Sequence, residues 1–308
     1  MIEKIFETVV YNRMLFSNEA FDKVDRLNGG FMPGNRTADN MFILQGLIQR
    51  QLALGKSLFV CYVDFSQAFD MLSRHILFYK LMKGGWHGRV IDTLRNLYSK
   101  THFKIKHKGM YSTPISSTIG VNQGGVASGI LFRKYMADLS NYLKNEFGVC
   151  LQNEIVVNLL WADDLVLFSN SAVGLQKQLD GLFKFSSQNM MVVNETKTKI
   201  MVFGSNDDAV CTFNGKKIDV VKQYKYLGNI FRTTKTCKED IFGDTYSYLI
   251  DKSRKAIFAM SRKLKTFRPL PADVSLYLFQ SLVMPILQYG AEVRGVNKFV
   301  SGLFWLQG

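Results

Sequence analysis

Between Val156 and Phe168 an apolar run is interrupted by Ala162-Asp163-Asp164, and this stretch constrains the fold more than any other. The apolar segments on either side read as two buried strands of a hairpin, with the acids at its turn. Burying a carboxylate costs several kcal/mol unless it is paired or binds metal, and Asp has poor strand propensity. A chain that places two of them there is set up to hold a hard divalent cation such as Mg²⁺, which prefers carboxylate oxygens. Successive strand side chains point to opposite faces, so a third carboxylate from another strand is expected. Asp64 is the candidate. Residues 58–63 are aromatic, β-branched or apolar throughout, as in a central strand buried on both faces, and Asp64 sits where that strand ends. Ser66 reads as the N-cap of a short following helix, with Asp70 as a cap or hydrogen-bond partner inside it.

A second feature is the loop holding Gly120, Gly124, Gly125 and Gly129, four glycines in ten residues, which let a backbone approach a ligand closely. Gln123 offers an amide donor and acceptor inside it. Ser128 reads as the cap of a helix from about Ile130 to Leu143, with Leu131, Tyr135, Leu139 and Tyr142 among its apolar positions. Elsewhere, helical patterns are expected over residues 1–24, 39–54, 73–83, 89–99 and 172–186, with a glycine-rich loop at 25–37. The alternation that starts at Phe103-Lys104-Ile105-Lys106 suits an exposed hairpin strand turning at Gly109.

With 308 residues the chain can form a large core and two or three subdomains. Its formal charge of +14 favours a polyanionic partner. The charge is concentrated: residues 215–268 hold 14 Lys or Arg against 5 Asp or Glu, a balance of +9. Within that stretch Tyr246 to Leu264 reads as a helix with Ile250, Ile257, Met260 and Leu264 on one side and Lys252, Lys255 and Arg262 on the other. The four cysteines, Cys61, Cys150, Cys211 and Cys237, show no metal-ligand spacing, so neither zinc nor a disulfide partner is expected and the chain reads as intracellular. No uncharged run reaches the roughly 18 residues of a membrane span, and the first residues read as an amphipathic helix rather than a signal peptide.

The motifs, in order, resemble the reverse transcriptase of LINE-like (non-LTR) retrotransposons. Gly30 to Asp39 is similar to the family's G-F-x-P-G-x-x-[ST]-x-D segment, Tyr62 to Asp70 to its first catalytic motif, and Gly120 to Phe132 to its Gln-Gly loop. Trp161-Ala162-Asp163-Asp164 resembles the aromatic-Ala-Asp-Asp box, Asn194 to Lys199 the N-x-x-K-T-K segment, and Tyr224 to Gly228 the primer-grip hairpin. The resemblance covers nearly the whole chain. Three positions depart from it: Gly129 stands where a proline is common, Trp161 where Tyr or Phe is, and Arg294 where Trp is frequent.

The resemblance implies an α+β right-hand polymerase fold with an antiparallel palm sheet. Partial fingers would occupy 1–59 and 101–119, the palm 60–100 and 120–232, and a partial helical thumb 240–308. It implies extension of a DNA primer on an RNA template with dNTPs, by two Mg²⁺ ions (Mn²⁺ as the alternative) about 3.5–4 Å apart. Asp64 and Asp163 would be shared ligands, Asp164 a less direct one, and the Phe65 carbonyl an extra ligand. Phe69 would exclude a 2′-hydroxyl beneath the incoming sugar. Gln123 and Gly124 would pack on the nucleotide and template base, with Arg36 a triphosphate candidate. Lys197, preferred over Lys199, would protonate pyrophosphate. Trp161, Tyr226, Leu227 and Gly228 would meet the primer, and Lys252, Lys255 and Arg262 the phosphate backbone. Nucleus and cytoplasm are the implied locations. Met1 falls inside the first recognisable helix, where the family carries a further fingertip segment, and no endonuclease domain is present, so the chain reads as a truncated copy. Two other classes are weighed: a catalytically inactive nucleic-acid-binding remnant, and an RNA-directed RNA polymerase, against which Phe69 and Ala162 argue.

Overall fold

The computed structural model describes residues 2–16, 28–86, 88–99, 101–204, 209–264 and 271–295. The expected helical residues 17–24 and the loop start at 25–27 lie outside the described residues. Helices α1 (Ile2–Phe16) and α2 (Thr37–Ala53) precede strand β1 (Leu58–Val63), followed by α3 (Arg74–Lys83) and α4 (Arg89–Ser99). Four two-residue strands come next: β2 (His102–Phe103), β3 (Lys106–His107), β4 (Met110–Tyr111) and β5 (Ile115–Ser116). Then come α5 (Ser128–Met136), β6 (Val149–Leu151), β7 (Glu154–Val156), β8 (Asn158–Trp161), β9 (Asp164–Ser169) and α6 (Ala172–Gln188). Strands β10 (Lys199–Phe203), β11 (Thr212–Phe213), β12 (Lys216–Lys217), β13 (Asp219–Val220), β14 (Gln223–Tyr226) and β15 (Asn229–Arg232) lead to α7 (Gly243–Leu264), α8 (Ala272–Leu282) and α9 (Met284–Gln288).

The main sheet has five strands in the order β13-β10-β1-β9-β8. β1 is its middle strand and all six of its residues are buried, as its unbroken apolar sequence requires. By contact the chain divides into two compact units. The first comprises Met1–Thr37, Val60–Lys199 and Val210–Asp219; the second comprises Ala38–Phe59, Ile200–Ala209 and Val220–Gly308.

In the first unit α6 buries Leu175, Leu179, Leu182 and Phe185 at helical spacing. Gln178 lies in that same stripe with no exposed surface; its amide is satisfied by clasping the Lys144 backbone, donating to its carbonyl at 2.8 Å and accepting from its N–H at 3.0 Å. Ser73 caps α3, accepting from the Ile76 N–H, and Gly84 closes it. β2 pairs with β5 and β3 with β4, and Ile105 and Ser112 exchange two hydrogen bonds between them, giving an exposed two-stranded ribbon. It turns at Lys108 (φ 46°) and Gly109 (φ 84°), the left-handed pair that fits strand twist.

Three expectations for the first unit change. No helix follows Ser66: residues 66–70 form turns, Gln67 takes a left-handed φ of 48°, and the Ser66 N–H donates to the Val192 carbonyl. The helix expected to reach Leu143 ends at Met136: the Ala137 N–H turns back to the Lys134 carbonyl, and the Tyr135 carbonyl accepts from Lys80 Nζ. Ser128 does not cap it; its hydroxyl donates back to the Asn122 carbonyl at 2.6 Å.

In the second unit β14 and β15 form a hairpin turning at Leu227 (φ 43°) and Gly228 (φ 85°). α7 packs on β15 through Thr245, whose hydroxyl donates to the Ile230 carbonyl at 2.9 Å and accepts from its N–H at 2.8 Å. That clasp sets the helix's rotation, so Thr245, Leu249 and Ser253 are its buried residues and Ile250, expected inside, is exposed.

Candidate active site

The hairpin β8–β9 pairs Asn158 with Leu167, Leu159 with Val166, Leu160 with Leu165 and Trp161 with Asp164. Ala162 and Asp163 form its two-residue turn, and Ala162 takes a left-handed φ of 57°, uncommon for a residue with a side chain. Asn28 bridges to Leu160, and the Gly29 N–H donates to the Leu160 carbonyl at 2.9 Å, which lays the 28–36 loop along the hairpin. A Cβ at Gly30 would stand 2.3 Å from the Ala162 nitrogen, so only glycine fits there. This is the physical reason for a glycine that the sequence alone marks only by resemblance.

Asp64 is held at the end of β1 by the turn that precedes β10. Its N–H donates to the fully buried Thr198 hydroxyl at 3.3 Å and its carbonyl accepts from the Asn194 N–H at 2.7 Å. Asn194 Oδ1 accepts from the Lys197 N–H and the Thr196 hydroxyl, shaping that turn. Lys197 Nζ lies 3.8 Å from Asp64 Oδ2, whereas Lys199, the first residue of β10, pairs with Asp219 at 2.5 Å. The two lysines are therefore separated by their partners. Phe65 forms an isolated bridge with Val193.

The Gln-Gly loop is tied to the turn after Asp64. The Gly120 N–H donates to the Leu72 carbonyl and the Val121 N–H to the Phe69 carbonyl. A Cβ at Gly120 (φ 75°) would lie 2.5 Å from the Asp70 carbonyl oxygen. Gln123 donates from Nε2 to both Asp70 carboxylate oxygens at 3.0 Å, so Asp70 is a hydrogen-bond partner, as expected, but from a turn and to this loop. Buried Arg74 donates to the carbonyls of Gly120, Tyr98 and Ser117 at 2.7–2.8 Å. Buried Glu7 accepts from the Val126 N–H at 2.9 Å. Sequence reasoning missed Arg74 and Glu7; neither sits in a motif, and a buried charge satisfied by backbone leaves no spacing signal.

A cavity of about 510 Å³ opens between these elements, lined by Tyr11, Phe31, Phe69, Gln123, Gly129 and Asp163 among others. Arg36 is exposed before α2 and is not part of its lining. The acids interact across the site. Burial raises Asp163, helped by repulsion from Asp64 and opposed by a backbone hydrogen bond. Asp164 is exposed as a residue, yet loss of solvent around its carboxyl, then repulsion from Asp163 and from Asp64, push it up to about 6. Among the described residues no three acidic, His or Cys side chains converge closely enough to hold a metal ion as they stand. The donor chemistry does fit a hard cation: Asp163 and Asp164, both raised by burial and neighbouring negative charge, offer carboxylate oxygens whose ionised form a divalent ion would stabilise.

In the second unit Tyr226 is 2 % exposed, and its hydroxyl accepts from the Asn40 amide. Its side chain is core, the turn residues Leu227 and Gly228 are half-buried, and Gln223, Lys225 and Arg232 are the hairpin's exposed residues. The Tyr289 hydroxyl donates to the Leu227 carbonyl at 2.9 Å. Lys252, Lys255 and Arg262 are exposed on α7, and Lys225 and Lys252 flank the Tyr248 ring at 4.7 and 5.2 Å. Arg294, singled out as a departure, is buried and donates to Asn229 Oδ1 at 2.9 Å and to the Tyr289 carbonyl. No helix among the described residues is long and apolar enough to cross a membrane.

The chain is 24% identical over 306 residues to an RNA-directed DNA polymerase from the mobile element jockey of Drosophila funebris, covering 95% of this chain and 32% of that protein. It is 29% identical over 216 residues to the Pol polyprotein of the type-2 retrotransposable element R2DM of Drosophila melanogaster, covering 67% of this chain and 20% of that protein. It thus spans about a third or less of the length of these relatives. In fold it is similar to telomerase from Candida tropicalis, solved in complex with a TWJ fragment of telomeric RNA, with a TM-score of 0.52 at 13% identity, covering 98% of this chain and 47% of that one. The family model described as reverse transcriptase (RNA-dependent DNA polymerase) matches residues 3–231, and the chain belongs to that family.

Proposed function

We propose that this chain is an RNA-directed DNA polymerase domain of a non-LTR retrotransposon, extending a DNA primer on an RNA template with dNTPs. The observation that carries the reading is that Asp163, Phe69 and Gln123, from three separate motifs, line one cavity, with Asp64 near enough to raise Asp163. The palm would take residues 60–100 and 120–232, the fingers 1–59 and 101–119, and the thumb the helices after 240.

Asp64, Asp163 and, less directly, Asp164 would hold two divalent cations, with the Phe65 carbonyl as a further oxygen donor. When bound, such ions lower the pKa of the primer hydroxyl and neutralise the triphosphate. In the transfer the primer 3′ hydroxyl gives its proton to solvent water, its oxygen bonds to the α-phosphorus, and the bond from the α-phosphorus to the oxygen shared with the β-phosphate breaks. Lys197, beside Asp64, gives its proton to the departing pyrophosphate. Phe69 lies beneath the sugar, Gln123 and Gly124 meet the nucleotide and template base, and Arg36, outside the cavity lining, is the candidate for the triphosphate. Trp161, Leu227 and Gly228 contact the primer. Lys252, Lys255 and Arg262 grip phosphates.

Primer extension on an RNA template with Mg²⁺ tests the reading. Asp163→Ala should abolish extension while template affinity changes little, because phosphate contacts lie mainly on α7. Extension that survives the substitution would overturn the ligand assignment. Efficient use of rNTPs by the unmodified chain would favour RNA synthesis instead.

A further inference from the structure

Phe31 is held in a way its exposure does not explain. It has a left-handed φ of 61°, where a bulky residue is an outlier, and it is 43% exposed. Its ring lies on the bare backbone of α5: a Cβ at Gly129 would stand 2.4 Å from Phe31 Cδ1 and 2.6 Å from Cγ. One turn along that helix, on the same side, Phe132 is fully buried and stacks on Phe69 with ring centroids 4.4 Å apart and planes 14° apart. Phe31 completes the arrangement, meeting Phe69 edge to face at 5.9 Å and 75°. Phe69 is thus gripped twice, by the Phe132 face and by Phe31, and both contacts are referenced to two residues of one helix, Gly129 and Phe132. Phe31, Phe69 and Gly129 all line the cavity.

We propose that Phe31, seated on Gly129, is a positioning residue that fixes the Phe69 ring and so sets discrimination between deoxyribonucleotides and ribonucleotides. The inference rests on the nucleotide-pocket reading above. A side chain that excludes a hydroxyl by bulk works only if it cannot swing aside. Phe132 blocks one direction of rotation, and Phe31 blocks another. Gly129 matters because any side chain there would lift the Phe31 ring away, and a left-handed backbone at Phe31 aims the ring at that gap.

The test is single-nucleotide primer extension by the full chain, comparing kcat/KM for a dNTP and the matching rNTP on one preparation, so that any unfolded fraction cancels. Edge-to-face pairs contribute about 0.5–1.5 kcal/mol. Phe31→Ala should therefore raise the rNTP-to-dNTP ratio about two- to twelvefold. Gly129→Ala should raise it in the same direction with Phe31 intact, because it perturbs the same contact from the other side. Phe31→Tyr, which keeps the ring, should keep the ratio, and Phe69→Ala should raise it most. If Phe69→Ala raises the ratio while Phe31→Ala and Gly129→Ala both leave it unchanged, the positioning role is refuted and the pocket reading stands. If Phe69→Ala leaves it unchanged, the pocket reading falls and takes the inference with it.

Discussion

Gly30→Ala places a single methyl against the hairpin that carries Asp163. The added Cβ would lie 2.3 Å from the Ala162 nitrogen, 3.1 Å from its Cα and 3.2 Å from the Trp161 carbonyl carbon. Relief needs roughly 1 Å of backbone movement to reach ordinary contact distance. Neither side yields easily. The 28–36 loop is laced to β8 by the Gly29 hydrogen bond and the Asn28 bridge, and Ala162 already occupies a left-handed turn. Overpacking of this kind costs about 1–3 kcal/mol, and about 2 kcal/mol lowers the Tm of a chain this size by roughly 3 °C. Because the movement is passed to Asp163, a displacement near 1 Å is expected to cost about 100-fold in extension rate. Thermal melting and primer extension measure both. Gly295→Ala, whose Cβ meets nothing within 4 Å, serves as the control and should change neither. A Gly30→Ala protein with wild-type Tm and wild-type extension would refute the claim that this loop supports the catalytic turn.

Lys197→Ala should slow extension by about 100-fold or more, as loss of a general acid does, while Lys199→Ala, whose lysine pairs with Asp219, should stay within a few-fold; equal effects in rapid-quench kinetics would count against the assignment. Millimolar Mg²⁺ should raise the Tm of the wild-type chain, by about 1.4 kcal/mol of stabilisation at ten times Kd, and should do nothing for Asp64→Ala/Asp163→Ala. Arg74→Met leaves the carbonyls of Gly120, Tyr98 and Ser117 without their donor and should cost about 3 kcal/mol in urea unfolding. Arg74→Lys should recover only part of that, because one ammonium cannot span the guanidinium's fork.

Elements whose sequence states one physical demand were legible. β1 is apolar throughout and is buried throughout; α4 runs over the residues its spacing marks. The two-residue turns at Lys108-Gly109 and Leu227-Gly228 follow from their glycines. Misreadings occurred where a distant group decides a local matter. α5 stops at Met136, where the Ala137 N–H turns back to the Lys134 carbonyl and Lys80, 55 residues away in sequence, donates to the Tyr135 carbonyl. The rotation of α7 depends on a threonine hydroxyl gripping Ile230, so the apolar stripe alone placed Ile250 wrongly. Serines at 66 and 128 resemble caps, but nothing local reveals that one N–H goes to Val192 and one hydroxyl to Asn122. The candidate site was legible as motifs and not as a cavity. Tyr11 and Phe31 enter it through tertiary placement, and the different partners of Lys197 and Lys199 emerge only when Asp219 lies beside β10.

The ribbon from His102 to Ser116 has a colloidal consequence. Phe103, Ile105, Met110, Tyr111 and Ile115 are each about half or more in water, on paired strands whose outer edges meet no further strand among the described residues. Such a strip is a template for pairing with a second copy. Lys104, Lys106 and Lys108 interrupt it, and residues 101–119 contain no acidic side chain to cancel them. Those cations act as gatekeepers: repulsion between like ribbons keeps concentrated protein dispersed, and high salt, which screens that repulsion, is the condition under which clumping should begin.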